Sequence, residues 1–421
     1  MNWKKYPAAV LLVLLAMHIL AQVDRNVLLG FSPQVTRELA IGNAQYGFLV
    51  GPVWVLSYGF MAMFMGTLAD RFSRTRVIAA GVMIWSVCTV ASGYAQNFEQ
   101  MVAARFLVAS GEAALVPAAV ALLADLFPPH RRGTAISIFF MGIPLGIGVS
   151  FLLAGTVGAS HGWRETFHWL GIVGLLIAVP LSFLTEDRSK LAAHEKGAPF
   201  LPQMQAVWSA VRSVPALRMT IVGFVMVNMM FPSLAFTQIW LVNERGLDAA
   251  GMATRIGALQ LVFGTLGALI GGGLGDRFAR KFKSGHGGFM ALLIAVCAPL
   301  MIAYRFAPAG SLLFYLGMCA GFFMPLAVYG PATTLIQGLV QPSMRSSIIG
   351  FSMLLLNIFA VAIASLAVGA IRDYLAANGT VAPFTKVLLT TDMLAISASL
   401  FFALAARRVQ GLQLACLGRV N

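Results

Sequence analysis

Apolar stretches of about twenty residues recur along the whole chain, and no other feature of the sequence constrains the fold as strongly. Runs such as "AAVLLVLLAMHIL" and "SLLFYLGMCAGFFMPLAVYG" belong to stretches long enough, at ~1.5 Å per residue, to cross ~30 Å of hydrocarbon as helices. Inside a bilayer every backbone polar group must be satisfied within the protein, which leaves helical bundles or closed barrels. Barrel strands would alternate in polarity over ~10 residues, and these runs do not alternate. Only 10% of the 421 residues are charged, against roughly 25% in soluble domains. The expectation is an all-α integral membrane protein. Its twelve spans fall near residues 7–31, 46–68, 77–95, 100–126, 133–159, 165–184, 217–243, 252–275, 288–306, 311–337, 347–371 and 386–406.

A formal net charge of +14 would suit a nucleic-acid partner if the basic residues formed one patch. They sort by side instead. With the N-terminus in the cytoplasm, 20 of the 29 lysines and arginines fall in cytoplasmic segments and 7, Arg305 among them, on the other side. Arg25 and Arg105 fall within spans. This positive-inside bias puts both termini in the cytoplasm and makes the charge a topology signal. No nucleic-acid partner is expected, and the location expected is a bacterial inner membrane. Cys88, Cys297, Cys319 and Cys416 lack paired spacing, so neither a disulfide nor a metal site is expected. The first apolar run is too long for the core of a cleavable signal peptide.

"GTLADRFSR" (66–74) and "GGLGDRFAR" (272–280) are two copies of one pattern, offset by 206 residues, each between two apolar spans. Two copies at that separation argue for duplication of a six-helix unit. The glycines (Gly66, Gly272) suit close helix approach. The aspartates (Asp70, Asp276) suit a helix N-terminus. The arginines (Arg71, Arg74, Arg277, Arg280) suit bridges that break when two lobes rock. The pattern resembles the signature loop of the major facilitator superfamily, and the resemblance covers the whole chain. It implies two lobes, residues 1–184 and 216–421, joined by a cytoplasmic linker over 185–215. That linker holds the polar stretch "TEDRSKLAAHEKGAPF" and an amphipathic helix around "MQAVWSAV".

Charge inside spans is costly, on the order of 2.5–3.5 kcal/mol per residue on insertion scales, and marks relays and substrate paths. The first half carries Asp24 and Arg25 in its first span and Arg105, Glu112 and Asp125 in its fourth. The second half is almost free of charge in its spans, with Asp392 near the outer start of the last. Arg105 and Glu112, seven apart, share one helix face. Glu112 lies roughly 18 Å and Asp24 roughly 13 Å in from the expected outer ends, so the two acids sit at similar depth. Arg25 is a natural counter-ion for either. Burial favours the protonated acid and a nearby arginine favours the carboxylate, so a change in that balance could move a proton. Asp125 suits contacts with the cytoplasmic loops. In the fifth span Gly142, Pro144 and Gly146 allow close packing or a bend. They look like the Gly-Pro element of facilitator antiporters, in a G-I-P-L-G order.

"VDRNVL", "ASGEA...ADLFPPHRRGTAISIFFMGIPLG" and "GWRETF" together resemble the Spinster-like branch of that superfamily, known for lysolipid and sphingolipid transport. The resemblance implies that Asp24, Arg25 and Glu112 serve proton coupling and headgroup binding, with Arg105 in support. Arg25 offers a fork for an anionic group. Tyr58, Phe139, Phe140, Met230, Phe231, Phe322 and Phe323 are candidates for an acyl chain or its surroundings. Asn228, Tyr329 and Asn357 are polar candidates in the second half, and Gln238 and Gln260 weaker ones. The function implied is proton-coupled secondary transport of a small amphipathic anion by alternating access. It uses no cofactor beyond the proton gradient, and works as a monomer among membrane lipids. Small organic-anion or multidrug transport is the alternative within the superfamily. A lipid scramblase would need no proton. A membrane enzyme finds no nucleotide loop, metal cluster or nucleophile triad in the sequence.

Overall fold

The computed structural model describes residues 6–71, 73–182 and 200–417, and all regular structure among them is helical. In chain order the α-helices are α1 (Pro7–Gly30), α2 (Ser32–Glu38), α3 (Asn43–Val50), α4 (Pro52–Arg71), α5 (Arg74–Gly93), α6 (Phe98–Glu112) and α7 (Leu115–Leu126). Then come α8 (Pro129–Phe140), α9 (Gly142–Gly155), α10 (Val157–Ser182), α11 (Phe200–Ser213), α12 (Pro215–Val227), α13 (Met230–Asn243) and α14 (Ala249–Leu259). The last are α15 (Thr265–Lys281), α16 (Gly285–Ala303), α17 (Leu312–Gly338), α18 (Arg345–Leu356), α19 (Ala364–Ala377) and α20 (Pro383–Leu417).

Among the described residues, 10 helical stretches are long and apolar enough to cross a membrane. They coincide with ten of the expected spans, and α3–α4 and α10 occupy the other two. Proline explains most of the breaks, since its ring clashes with the carbonyl four residues back and its nitrogen donates nothing. Breaks after Gly30, Val50, Glu112, Phe140 and Val227 each precede a proline: Pro33, Pro52, Pro117, Pro144 and Pro232. The break at Met141 is therefore the effect of Pro144, and the break after Glu112 ends a helix at the acid singled out above.

The chain forms two compact units. One comprises Met1–Ala193, Ala235–Leu261 and Ser365–Thr380; the other comprises His194–Leu234, Val262–Ala364 and Val381–Asn421. They cut across the two sequence halves. The division within α14–α15 falls in a π-helical turn, Gln260–Gly264, and a second π-helical turn, Asn357–Ile363, directly precedes the division at α19.

In the first unit α1 packs on α9, α5 on α6 and α10, and α14 on α9. Glycine decides how closely. A Cβ on Gly142 would lie 2.8 Å from the His18 ring, and one on Gly146 2.8 Å from the Ile19 carbonyl oxygen. On the other side of α9, Cβ atoms at Gly148 and Gly155 would strike Leu261 and Thr254, and one at Gly257 would come 2.6 Å from the Leu152 nitrogen. The α9 glycines thus admit α1 on one face and α14 on the other. At α3 and α19, Cβ atoms on Gly47 and Gly369 would collide with the carbonyl oxygens of Ser365 and Asn43. Asp373 seals that junction, accepting from Asn43 Nδ2 at 2.7 Å and from the Ala44 N–H at 3.0 Å. Gly369→Val is expected to destabilise by roughly 1–3 kcal/mol through overpacking. Gly59→Ala, in open space within α4, is expected to be neutral or slightly stabilising. Thermal unfolding of both variants in detergent checks the contrast.

In the second unit α12 packs on α20, α15 on α17, and α16 on α17 and α20. Gly267, Gly271 and Gly275 of α15, four apart, abut Phe323, Ala327 and Pro331 of α17. This corrects the reading of the repeated pattern. The glycine at its head, Gly272, has nothing within 4 Å of its added Cβ, because the close face lies one residue away. Nor is this copy a loop: α15 runs through it, and Asp276 meets His286 (Nε2 to Oδ1, 3.0 Å) instead of capping a helix. Arg277 and Arg280 are exposed. In the first copy the surroundings of Gly66 and the side chains of Asp70 and Arg71 lie outside the described residues. Arg74 opens α5, is buried, and forms an ion pair with Asp125 at the end of α7. Most of the linker, 183–199, lies outside the described residues, and α11 forms where the amphipathic helix was expected.

Arg305 needs a second correction. It was counted among the outer basic residues, yet its side chain and that of Asp392 are both fully buried. Arg305 donates to Asp392 through Nε at 2.7 Å and Nη2 at 3.1 Å, and Ser233 donates to the same carboxylate at 3.1 Å. The second unit therefore has its own buried ion pair.

Candidate functional site

Five of the residues singled out in the first half converge inside the first unit, on α1, α4 and α6. Asp24 and Arg25 are neighbours in sequence, but successive helix residues point ~100° apart, so they meet different partners. Arg105 donates from Nη1 to Asp24 Oδ1 at 2.9 Å and from Nη2 to the Asp24 carbonyl oxygen at 2.9 Å. Thr89 of α5 donates to the other carboxylate oxygen. All three side chains are buried. Asp24 is thus held from two helices, and its counter-ion is Arg105, not Arg25.

Arg25 turns to α4. Its guanidinium carbon lies 3.5 Å from the Trp54 ring centroid, within cation–π distance. The Trp54 indole Nε1–H donates to Glu112 Oε2 at 2.9 Å, and the indole stacks on Tyr58 at 4.4 Å. Glu112 is 5% exposed, and its other oxygen, Oε1, is buried with no hydrogen-bond partner among the described residues. Asp24, Arg25, Arg105 and Tyr58 all act on it or are acted on by it electrostatically. Each carboxylate oxygen of Asp24 has a donor, whereas among the described residues Glu112 has one on Oε2 and none on Oε1. Chemically, Asp24 is built to hold still and Glu112 has a lone pair open to a proton.

Three contributors were missed in the sequence: Trp54, Thr89 and His18. His18 is buried, donates from Nδ1 to the Phe139 carbonyl at 2.9 Å, and stacks on the Phe139 ring at 4.4 Å. Gln22 bridges His18 (3.3 Å) and Asn26 (3.4 Å) along α1. The i, i+4 spacing of His18, Gln22 and Asn26 was a readable sign of this polar ladder. Trp54 is likewise four residues before Tyr58. Phe139 itself is fully buried.

The second-half candidates gather only in part. Asn228 is buried at the end of α12 and donates to the Phe224 carbonyl at 2.6 Å. Tyr329 lies edge-on to Phe224 at 5.3 Å and reaches Met353 Sδ at 3.3 Å. Phe231 is half-buried, and Asn357, also half-buried, opens the π-helical turn. Among the described residues no group of three or more His, Cys, Asp or Glu side chains could hold a metal ion.

The family model described as Major Facilitator Superfamily matches residues 14–365. An "MFS-type efflux pump" of Mycolicibacterium smegmatis is 27% identical over 338 residues, covering 80% of this chain and 77% of the relative. "Protein spinster homolog 1" of Homo sapiens is 25% identical over 397 residues, covering 88% and 74%. Among solved structures, a bacterial homologue of the human lysosomal transporter Spinster, inward-facing and unoccupied, superposes with a TM-score of 0.81 at 22% identity. It covers 96% of this chain and 97% of the other.

Proposed function

The chain belongs to the Major Facilitator Superfamily and is a multi-pass membrane transporter, and on that premise we propose that it couples proton movement to the passage of an amphipathic anion by alternating access. The observation that carries this reading is Glu112. It is a buried acid with one oxygen unpartnered, within the electrostatic reach of Arg25, on a chain that carries little charge in its spans. Buried acids in membrane helices serve proton relays. Arg25, half-buried with its guanidinium over the Trp54 ring, can offer its fork to a phosphate or carboxylate. Arg105 and Asp24 form the fixed wall against which the movable pair works. The resemblance to the Spinster-like branch supports a lysophospholipid or sphingolipid as the anion. Phe231, Tyr329 and Asn357, in the second unit, are kept as candidate substrate-contacting residues on the same resemblance. We assign both termini to the cytoplasm, place the chain in a bacterial inner membrane as a monomer, and give it no nucleic-acid partner and no cofactor.

A second reading, export of drug-like amphipaths, is favoured by the likeness to a mycobacterial efflux pump. The test is uptake of a labelled lysophospholipid by proteoliposomes under an imposed pH gradient, run beside a cationic dye. Gradient-driven lysophospholipid flux is the expected result. Arg25→Ala is expected to weaken its apparent affinity about 10- to 100-fold, the scale of a lost charge-assisted hydrogen bond. Dye flux without lysophospholipid flux selects export. Flux of either that ignores the gradient removes the proton from the mechanism.

A further inference from the structure

Trp54 touches both groups to which the reading above gives separate tasks. Its ring face carries the Arg25 guanidinium and its edge donates Nε1–H to Glu112 Oε2. We propose that Trp54 is a positioning residue that converts the arrival of an anion at Arg25 into protonation of Glu112; this inference rests on the proposed function. The two contacts fix the indole in complementary directions. The cation over the ring fixes its plane, and the hydrogen bond fixes its rotation within that plane. Stacking on Tyr58, one helical turn further along α4, gives the ring a pivot.

The groups around Glu112 divide into fixed and movable. Asp24 of α1 repels its negative charge. Arg105, on the same helix as Glu112, is committed to the Asp24 carboxylate and carbonyl, so it does not follow a ligand. Tyr58 of α4 is neutral when protonated. That leaves Arg25 and Trp54 as the movable groups that favour the carboxylate, one by charge and one by a donated hydrogen bond. An anion that draws Arg25 from the indole weakens both at once. Its negative charge offsets Arg25, and the released indole no longer holds Nε1–H on Oε2. A proton from the open aqueous side then binds Oε1, whose lone pairs have no partner among the described residues. No covalent bond in the substrate changes, and one negative charge and one proton enter together. The device therefore couples anion and proton in the same direction.

The test uses purified protein in weakly buffered detergent, with a pH-sensitive dye reporting proton uptake when lysophospholipid is added, and proteoliposome flux measured across pH. Wild type is expected to take up protons on binding. Trp54→Phe keeps the ring and loses the donor. Its pH midpoint for flux is expected to rise by about one unit, a tenfold change in proton affinity. Its ligand-linked proton uptake at neutral pH should fall several-fold. Trp54→Gln keeps a donor and loses the ring, so Arg25 no longer controls it; its uptake should fall while its midpoint stays nearer wild type. A thermal-unfolding midpoint within a few degrees of wild type certifies the fold of each variant, and either variant alone decides the matter if the other fails to fold. Gradient-driven flux in Trp54→Phe with unchanged midpoint and unchanged proton uptake overturns the coupling role and leaves the transporter reading standing. Absence of gradient-driven flux in wild type overturns the transporter reading itself.

Discussion

Glu112→Gln protein in proteoliposomes is expected to lose gradient-driven accumulation of its substrate, down to the level of protein-free vesicles, while keeping exchange of substrate across the membrane. The amide is nearly isosteric with the carboxylic acid, and its oxygen still accepts from the Trp54 indole 2.9 Å away in the native site. Packing around α6 is therefore preserved. What the amide cannot do is bind and release a proton in the working pH range. Arg25, which the substrate is proposed to meet, is untouched, so loading and reorientation continue without coupling. Asp24→Asn is a different experiment, because Arg105 would then face an amide inside the bundle. An unpaired buried cation destabilises the fold, and loss of flux there would report structure. Gradient-driven accumulation by Glu112→Gln at the wild-type rate would falsify the proton role of this acid.

The second large effect concerns stability. Arg305→Met is expected to destabilise the second unit by roughly 3–5 kcal/mol, the cost of stranding a fully buried carboxylate. Asp392 would keep only the Ser233 hydroxyl of the donors shown, having lost two from the guanidinium at 2.7 and 3.1 Å. Replacing both partners, Arg305→Met with Asp392→Leu, is expected to recover most of that loss, since two apolar residues of similar volume need no compensation. Thermal unfolding in detergent separates the cases. A single variant as stable as wild type means that the pair contributes nothing. A double variant as unstable as the single one means that the loss came from packing. Transport by the double variant is expected to survive, because the proton device proposed above lies wholly in the first unit.

The membrane helices were legible in the sequence because their causes are local. Bilayer thickness sets a length of about twenty residues, the cost of burying charge sets their composition, and proline breaks a ladder within four residues of itself. Each can be read within a window of chain. The presence of a site was legible too, since Asp24, Arg25, Arg105 and Glu112 are costly where they stand. Their pairing was not. Depth left Arg25 as a counter-ion for either acid, but the helix turns Asp24 and Arg25 apart, and the partner of Asp24 comes from 81 residues away. Arg305 read as an outer-surface charge until α20 supplied Asp392, 87 residues on. Whether the glycine at the head of a pattern permits close approach depended on one residue of helix register: Gly271 and Gly275 abut α17 and Gly272 does not. Likewise, the compact units depart from the duplicated halves because parts of α13, α14 and α19 pack on first-half helices. Length, composition and cost belong to each segment of chain, whereas the identity of a partner belongs to the packing that brings distant segments together.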